Sequence, residues 1–183
     1  TIPSDKFPGG LLIQKTRKGN TPISIHFCDG KFIKLAGNPT WNTLITKEES
    51  CWKAVSDVFG VNTDVNIGQI TTPKPGIKPR FYKLKYLVTP YMGIPINYLS
   101  QILPGAIDSE VKKRFLENMD SLVLQKRICL EDLNLGNILG RVDSGKLELF
   151  PIDFESATLF KNDQRLVESF RERQLDKCRR ALS

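Results

Sequence analysis

Two apolar segments in the second half of the chain constrain its fold most, because polar residues stand at both of their outer ends. The first segment begins at Ile138 and the second runs to Ile152. A short turn at Gly145 separates them, so the pattern predicts a β-hairpin. Asn137 directly precedes this hairpin and Asp153 directly follows it. The sequence therefore predicts an amide at the entrance of one hairpin and a carboxylate at its exit.

Asp132 lies five residues before Asn137 and completes a set of three polar residues. An isolated Asp–Asn pair in a loop is usually a turn or a helix cap. However, a carboxylate at the end of a buried strand is costly to desolvate, so Asp153 needs a partner, and a bound cation would supply it. The three residues together, with the hairpin between Asn137 and Asp153, favour a site for phosphoryl transfer with Mg²⁺.

The first third of the chain has the pattern of paired strands. Ile23–Cys28 alternates in part between apolar and polar residues, and Lys31–Leu35 is the returning strand. The Asp-Gly pair between them fits a type I′ turn, in which both central residues need a positive φ. Val65 to Thr71 and Phe81 to Val88 are two further candidate strands.

Residues 46–59 have the amphipathic pattern of a helix, and Gly60 is a suitable residue to end it. The apolar side chains of this helix share one face. Glu48 lies on that face, one turn before Trp52, whereas Glu49 points well away from it. The helical phase therefore orients Glu48, and not Glu49, toward the core.

Residues 89–95 contain two prolines and a glycine directly after a hydrophobic strand, which indicates a linker. We place a small β-rich lobe with one helix before it, at about residues 1–88, and a mostly helical lobe after it, at about residues 96–183. In the second lobe, Asp108 or Ser109 begins a long helix, and a basic helix follows later. The expected fold class is α+β.

The four cysteines lie far apart and form no C-x-x-C pair, and His26 is the one histidine of the sequence. Structural zinc needs clustered ligands, so we do not expect a zinc site. Cys28, Cys51 and Cys129 lie in apolar stretches, whereas Cys178 lies in the basic C-terminal segment. The pattern predicts buried free thiols in a reducing compartment.

The composition is 40% hydrophobic and 26% charged, with a formal net charge of +7. Such a charge permits an anionic ligand or partner, such as a nucleotide or an acidic protein surface. No apolar run approaches the roughly 20 residues of a membrane span, and no signal peptide opens the sequence. The sequence begins at Thr1 rather than Met, and we expect that an N-terminal piece has been removed.

The motifs of the second lobe resemble those of the protein-kinase superfamily. The run from Asp132 to Leu139 and the run from Leu149 to Phe154 are similar to its catalytic and metal-binding loops. The closer resemblance is to the minimal kinases that bacteria deliver into host cells by type III secretion, namely the OspG, NleH and HopBF effectors. These motifs are short. Over the rest of the chain the match is loose, and it rests on the small size of the protein and on the order of its lobes. The implied fold is a two-lobed protein-kinase-like fold.

The resemblance implies a role for each matching residue. Asp132 would be the catalytic aspartate, and Asn137 and Asp153 would hold Mg²⁺. ATP would contact eight residues, which are Gly19, Ile25, Lys34, Val88, Thr89, Tyr91, Asn137 and Asp153.

Lys34 would reach the α- and β-phosphates of the nucleotide, and it would pair with a glutamate of the helix. Helical phase favours Glu48 as this catalytic partner, whereas a rough comparison of the chains around Ser50 favours Glu49. The sequence therefore does not decide which of the two glutamates pairs with Lys34.

The sequence differs from the motifs of this family at three places. Leu130 and Glu131 replace the His-Arg pair that usually precedes the aspartate, which removes the usual docking point for a phosphorylated activation loop. Glu155 replaces the glycine after Asp-Phe, which should limit backbone flipping. The segment 12–25, where the phosphate-binding loop belongs, contains only Gly19, and its basic side chains would have to compensate.

The resemblance implies a secreted Ser/Thr protein kinase that uses ATP and Mg²⁺ in the host cytoplasm. The HopBF relatives imply a host chaperone of the HSP90 class as substrate, and the OspG relatives imply a ubiquitin-conjugating enzyme. We expect a monomer. The C-terminal lobe would be truncated, because few residues follow Asp153. Control by activation-loop phosphorylation is not expected, so the kinase would be constitutively active or activated by a bound partner.

Two other classes of function stay open. The first is a small-molecule phosphotransferase of the aminoglycoside or choline kinase type, whose motifs fit nearly as well. Those enzymes enclose their substrate with a large helical subdomain after the metal-binding aspartate, and this sequence has no room for one. The second is a pseudokinase or basic phosphate-binding module. Aromatic residues are not interleaved with the basic ones as a stacking platform requires, so we do not expect nucleic acid as a partner.

Overall fold

The chain has an α+β architecture that divides into two compact units. The computed structural model describes residues 2–15, 23–74, 76, 78, 80–90 and 92–183. The first unit comprises Thr1–Trp52 and Thr63–Tyr91, and the second comprises Lys53–Asn62 and Met92–Ser183. The division near residue 91 falls within the expected linker, but residues 53–62 group with the second unit rather than with the first lobe.

An antiparallel sheet makes up most of the first unit. Its strands in the described part of the chain are β1 (Ile2–Pro3), β2 (Leu11–Lys15), β3 (Ile23–Cys28), β4 (Lys31–Ala36), β5 (Asn66–Pro73) and β6 (Phe81–Pro90). They lie in the order β1-β2-β3-β4-β6-β5. The predicted tight turn between β3 and β4 is confirmed, because Asp29 and Gly30 have φ values of 51° and 73°.

Helix α1 (Asn42–Phe59) ends as predicted, with Gly60 in the left-handed region at a φ of 64°. It begins before the predicted start at residue 46, because a 3₁₀ turn at Pro39–Trp41 leads directly into it. The side chain of Asn42 fixes this start against β6, where its nitrogen donates to one backbone carbonyl at 3.0 Å and its oxygen accepts from a backbone N–H at 2.8 Å.

Three helices and five short strands make up most of the second unit. The helices are α2 (Ile96–Ile102), α3 (Ser109–Lys126) and α4 (Gln164–Leu182), and the strands are β7 (Ile94–Pro95), β8 (Ile128–Cys129), β9 (Ile138–Asp143), β10 (Lys146–Pro151) and β11 (Thr158–Leu159). The strands form two sheets, β10-β9-β7 and β11-β8. The predicted cap of α3 is confirmed, because the Asp108 carboxylate accepts from Val111 N at 2.9 Å.

Two parts of the second unit differ from the prediction. The sequence does not predict helix α2, because it is only seven residues long and no side chain caps its start. The linker expected over residues 89–95 is shorter than predicted, since β6 continues to Pro90 and β7 begins at Ile94. Pro90 is tolerated because it lies at the end of its strand, where a missing backbone donor costs little.

Helix α3 buries one apolar face, on which Phe115, Met119 and Leu122 are at most 1% exposed. Helix α3 packs against α4 and β10. Across the described ranges, no helix combines the length and the apolar character needed to span a membrane.

All four cysteines carry free thiols, and they differ in burial. The prediction of burial is confirmed for Cys51 and Cys129 and is wrong for Cys28, which is half-buried at the end of β3. Cys178 is also buried. Burial raises the pKa of Cys51 and Cys178 to about 12 and that of Cys129 to about 11.

We predict that one thiol per chain reacts quickly with an aromatic disulfide reagent at pH 8. Because the reagent has to reach the sulfur, the buried thiols should react only after unfolding, whereas the half-buried Cys28 should react in the native protein. The Cys28→Ser variant should show no fast-reacting thiol, and its remaining thiols should react in denaturant. Fast reaction of the native Cys28→Ser variant would contradict the burial of the other three.

Candidate active site

The hairpin of β9 and β10 sets the positions of Asn137 and Asp153. At its open end Ile138 pairs with Pro151, so Asn137 directly precedes the paired residues and Asp153 follows them. The Ile152 N–H donates to the Asn137 carbonyl at 2.8 Å, which extends the pairing by one further contact. The predicted arrangement, with the amide at the entrance of the hairpin and the carboxylate at its exit, is confirmed.

The loop that carries Asp132 is tied to the same end of the hairpin. Asn137 Nδ2 donates to the backbone carbonyl of Asp132 at 3.3 Å. Asn134 Nδ2 donates to the Asp132 carboxylate at 3.3 Å, while Asn134 Oδ1 accepts from Gly136 N at 2.9 Å. Asp132 itself is exposed. Asn134, to which the sequence analysis gave no role, therefore orients the carboxylate of Asp132.

Asp153 has a left-handed backbone conformation with a φ of 65°. For a residue other than glycine this costs on the order of 1 kcal/mol, and such a conformation persists only where the surroundings enforce it. The neighbouring Phe154 is completely buried, which anchors the chain directly after the aspartate. A positive φ also occurs at Asp29 and Ser144, which lie in tight turns, so at Asp153 it marks a tightly constrained backbone.

We predict that Asp153→Gly is more stable to denaturant than Asp153→Ala, by about 1 kcal/mol. Both variants lose the carboxylate, so their difference reports the backbone alone. Asp143 provides a control, because its φ is not positive and the order should reverse for Asp143→Gly and Asp143→Ala. If Asp153→Ala proved the more stable, the inferred strain would be wrong.

Lys34 and Glu48 form an ion pair within the first unit. Lys34 Nζ lies 2.8 Å from Glu48 Oε1, and the side chains are 18% and 1% exposed. Lys34 lies on β4, where it is paired with Ile25 of β3 and Leu87 of β6. The prediction that Glu48 faces the core is confirmed. Of the two candidate glutamates, Glu48 is the one that forms the ion pair with Lys34 described above.

The other predicted nucleotide-contacting residues of the sheet lie on both of its faces. Ile25 is directly opposite Lys34 and shares its face. Thr89 is paired with Phe32, two residues from Lys34, so it lies on that face as well. Val88 is paired with the next residue along, Ile33, and its side chain therefore points to the other face. Gly19 and Tyr91 lie outside the described residues.

We predict that Lys34→Met lowers the free energy of unfolding by about 3 kcal/mol, because it leaves the buried Glu48 carboxylate without its lysine. Adding Glu48→Gln should restore most of this loss, since it removes the second charge. Adding Glu49→Gln instead should restore none of it. Urea denaturation of the four proteins measures these differences, and recovery with Glu49→Gln would contradict the pairing.

A groove of about 430 Å³ lies beside Asp132 and is open to solvent. One wall is the Asp132 loop and the other is the end of α4. Its lining residues are Glu131, Asp132, Leu133, Asn134, Leu135, Lys177, Arg180, Ala181 and Ser183. The contribution of α4 cannot be predicted from the local sequence, because nothing in it links residues that are more than forty positions apart.

No protein-family model matches this chain, and no curated protein matches its sequence. The function therefore has to be inferred from the residues and their geometry.

Proposed function

We propose that this chain is an ATP- and Mg²⁺-dependent protein kinase with a two-lobed protein-kinase-like fold. The observation that carries the proposal is the open end of the β9–β10 hairpin, where Asn137 precedes the paired residues, Asp153 follows them, and Asn137 holds the backbone of Asp132. The first unit adds support, because an antiparallel sheet presents Lys34 in an ion pair with Glu48.

The oxygen atoms of Asn137 and Asp153 are hard ligands, and Mg²⁺ prefers such ligands. Because Asn137 uses Nδ2 for the Asp132 carbonyl, its Oδ1 is the atom that a cation would take. Bound Mg²⁺ would neutralise the developing charge on the phosphates of ATP. Lys34 would bind phosphate oxygens with its ammonium group, and Glu48 would hold that group in place.

Asp132 would accept the proton of the substrate hydroxyl as the hydroxyl oxygen attacks the γ-phosphorus of ATP. The bond between that phosphorus and the β–γ bridging oxygen breaks, and ADP leaves. Asn134 would keep the Asp132 carboxylate oriented for this transfer, since it donates a hydrogen bond to it. The carboxylate is exposed, so a hydroxyl on another molecule can reach it.

The open groove beside Asp132 favours a protein substrate over a small molecule. Small-molecule sites usually bury most of the ligand surface in a closed cleft. A groove that is open to solvent suits a segment of a larger chain instead. The resemblance to secreted effectors gives two candidate substrates in the host cytoplasm, a chaperone of the HSP90 class and a ubiquitin-conjugating enzyme.

We predict that Asp132→Ala lowers phosphoryl transfer by about 10²–10⁴-fold, because the variant lacks the proton acceptor. The purified chain is incubated with labelled ATP and Mg²⁺, with and without host-cell extract, and transfer to protein is measured. Asp143→Ala is a matched control, because Asp143 is exposed and lies at the turn end of the same hairpin. It should keep full activity.

Undiminished transfer by Asp132→Ala would overturn the proposed role of this residue. Inactivity of the unmodified chain under both conditions would count against the kinase itself. Parallel reactions with an aminoglycoside and with choline as acceptors test the alternative class, and transfer to either of them but not to protein would favour it.

A further inference from the structure

Helix α4 holds the peptide groups that directly precede Asp132. The Leu130 N–H donates to Gln174 Oε1 at 2.7 Å, and Gln174 Nε2 donates to the Leu130 carbonyl at 3.5 Å. Lys177 Nζ donates to the Glu131 carbonyl at 2.9 Å. Gln174 is completely buried, so breaking its bonds would leave polar atoms without water. Two side chains of α4 thus fix the backbone up to the peptide bond of Asp132.

The carboxylate of Glu131 makes a second connection between the loop and α4. It lies 2.6 Å from Lys177 Nζ and 3.1 Å from Arg173 Nη1, and it accepts a hydrogen bond from Thr158 Oγ1 at 3.0 Å. Burial acts to raise the pKa of Glu131, but the hydrogen bonds from Lys177 and Thr158 and the charges of Lys177 and Arg173 outweigh it and lower the pKa. Glu131 is therefore ionised near neutral pH.

Helix α4 is itself firmly anchored in the second unit. Arg171 donates to both carboxylate oxygens of Asp120 on α3, at 2.8 and 2.9 Å. Val167 and Cys178 are buried on the same helix. A two-point guanidinium–carboxylate contact fixes orientation as well as distance. The loop is thus attached to a helix whose own position is set by packing and by charge.

We propose that α4 positions the proposed catalytic aspartate, with Gln174 and Lys177 holding the backbone before Asp132 and Glu131 acting as the charged link. This inference rests on the proposed kinase function. The charges that order the loop come from the chain itself, so no added phosphate group is needed to order it. A residue that positions the catalytic group affects the chemical step, and its loss lowers kcat without changing the KM for ATP.

The test compares Lys177→Met with Lys177→Arg in the full chain. Lys177→Met keeps an apolar stem but loses the ammonium group, and we expect kcat to fall by about 10²-fold at an unchanged KM for ATP. Lys177→Arg keeps the charge and should retain most of the kcat. Arg179→Met serves as the control, because Arg179 is an exposed residue of the same helix. If Lys177→Met does not fold, Glu131→Gln takes its place and should show the same kcat loss.

Hydrogen exchange of the segment 130–137 gives a readout that does not need activity. Exchange should be faster in Lys177→Met than in the unmodified chain, and unchanged in Arg179→Met. Full kcat in Lys177→Met, or equal exchange in all variants, overturns the positioning role. If the unmodified chain transfers no phosphate, the kinase function fails, and the exchange measurement still decides whether α4 orders the loop.

Discussion

The pairing register of the β9–β10 hairpin is the constraint on which the candidate site depends. Asn137 and Asp153 are not paired with each other directly, since each lies just outside the last pair, Ile138 with Pro151. A slip of one residue would therefore move one of them away from the other. The turn at Ser144-Gly145, with φ values of 51° and 77°, resists such a slip because it fits a two-residue hairpin loop. A local turn thus fixes the distance between two distant polar residues.

The Lys34–Glu48 pair is weak evidence for stability, because its charges are largely removed from water. Removing two charges from water costs several kcal/mol per ion, and a well-packed apolar pair often serves stability as well or better. The Glu48 side chain is only 1% exposed, so this cost is large here. The proposed contact of Lys34 with phosphate would account for the cost, because an ammonium held by a buried carboxylate is pre-organised for phosphate. Under that proposal, the pair serves phosphate binding rather than stability.

The sequence predicted those features that depend on neighbouring residues. The turn between β3 and β4, the cap at Asp108 and the inward face of Glu48 all follow from local periodicity or turn chemistry, and each is present. The sequence did not predict the features that depend on tertiary contacts. The hydrogen bonds of Gln174 with Leu130 join residues 44 positions apart, and the periodicity of a helix cannot predict such a contact. Helix α2 is too short for its pattern to be distinguished from a loop.

Glu131 explains how the largest departure from the kinase resemblance fits the rest of the second unit. The resemblance places an arginine there, whose partner would be an anion, and this chain has the opposite charge. The partners have the opposite charge as well, since Lys177 and Arg173 of α4 surround the Glu131 carboxylate. Residues 154–163 lead from Phe154 through β11 into α4, which brings these cations to the loop by a short path. The Glu131 carboxylate therefore meets cations where the resemblance implies an arginine that meets an anion. What changes is the source of the second charge, which here is a permanent part of the fold and not a group that a modification must supply.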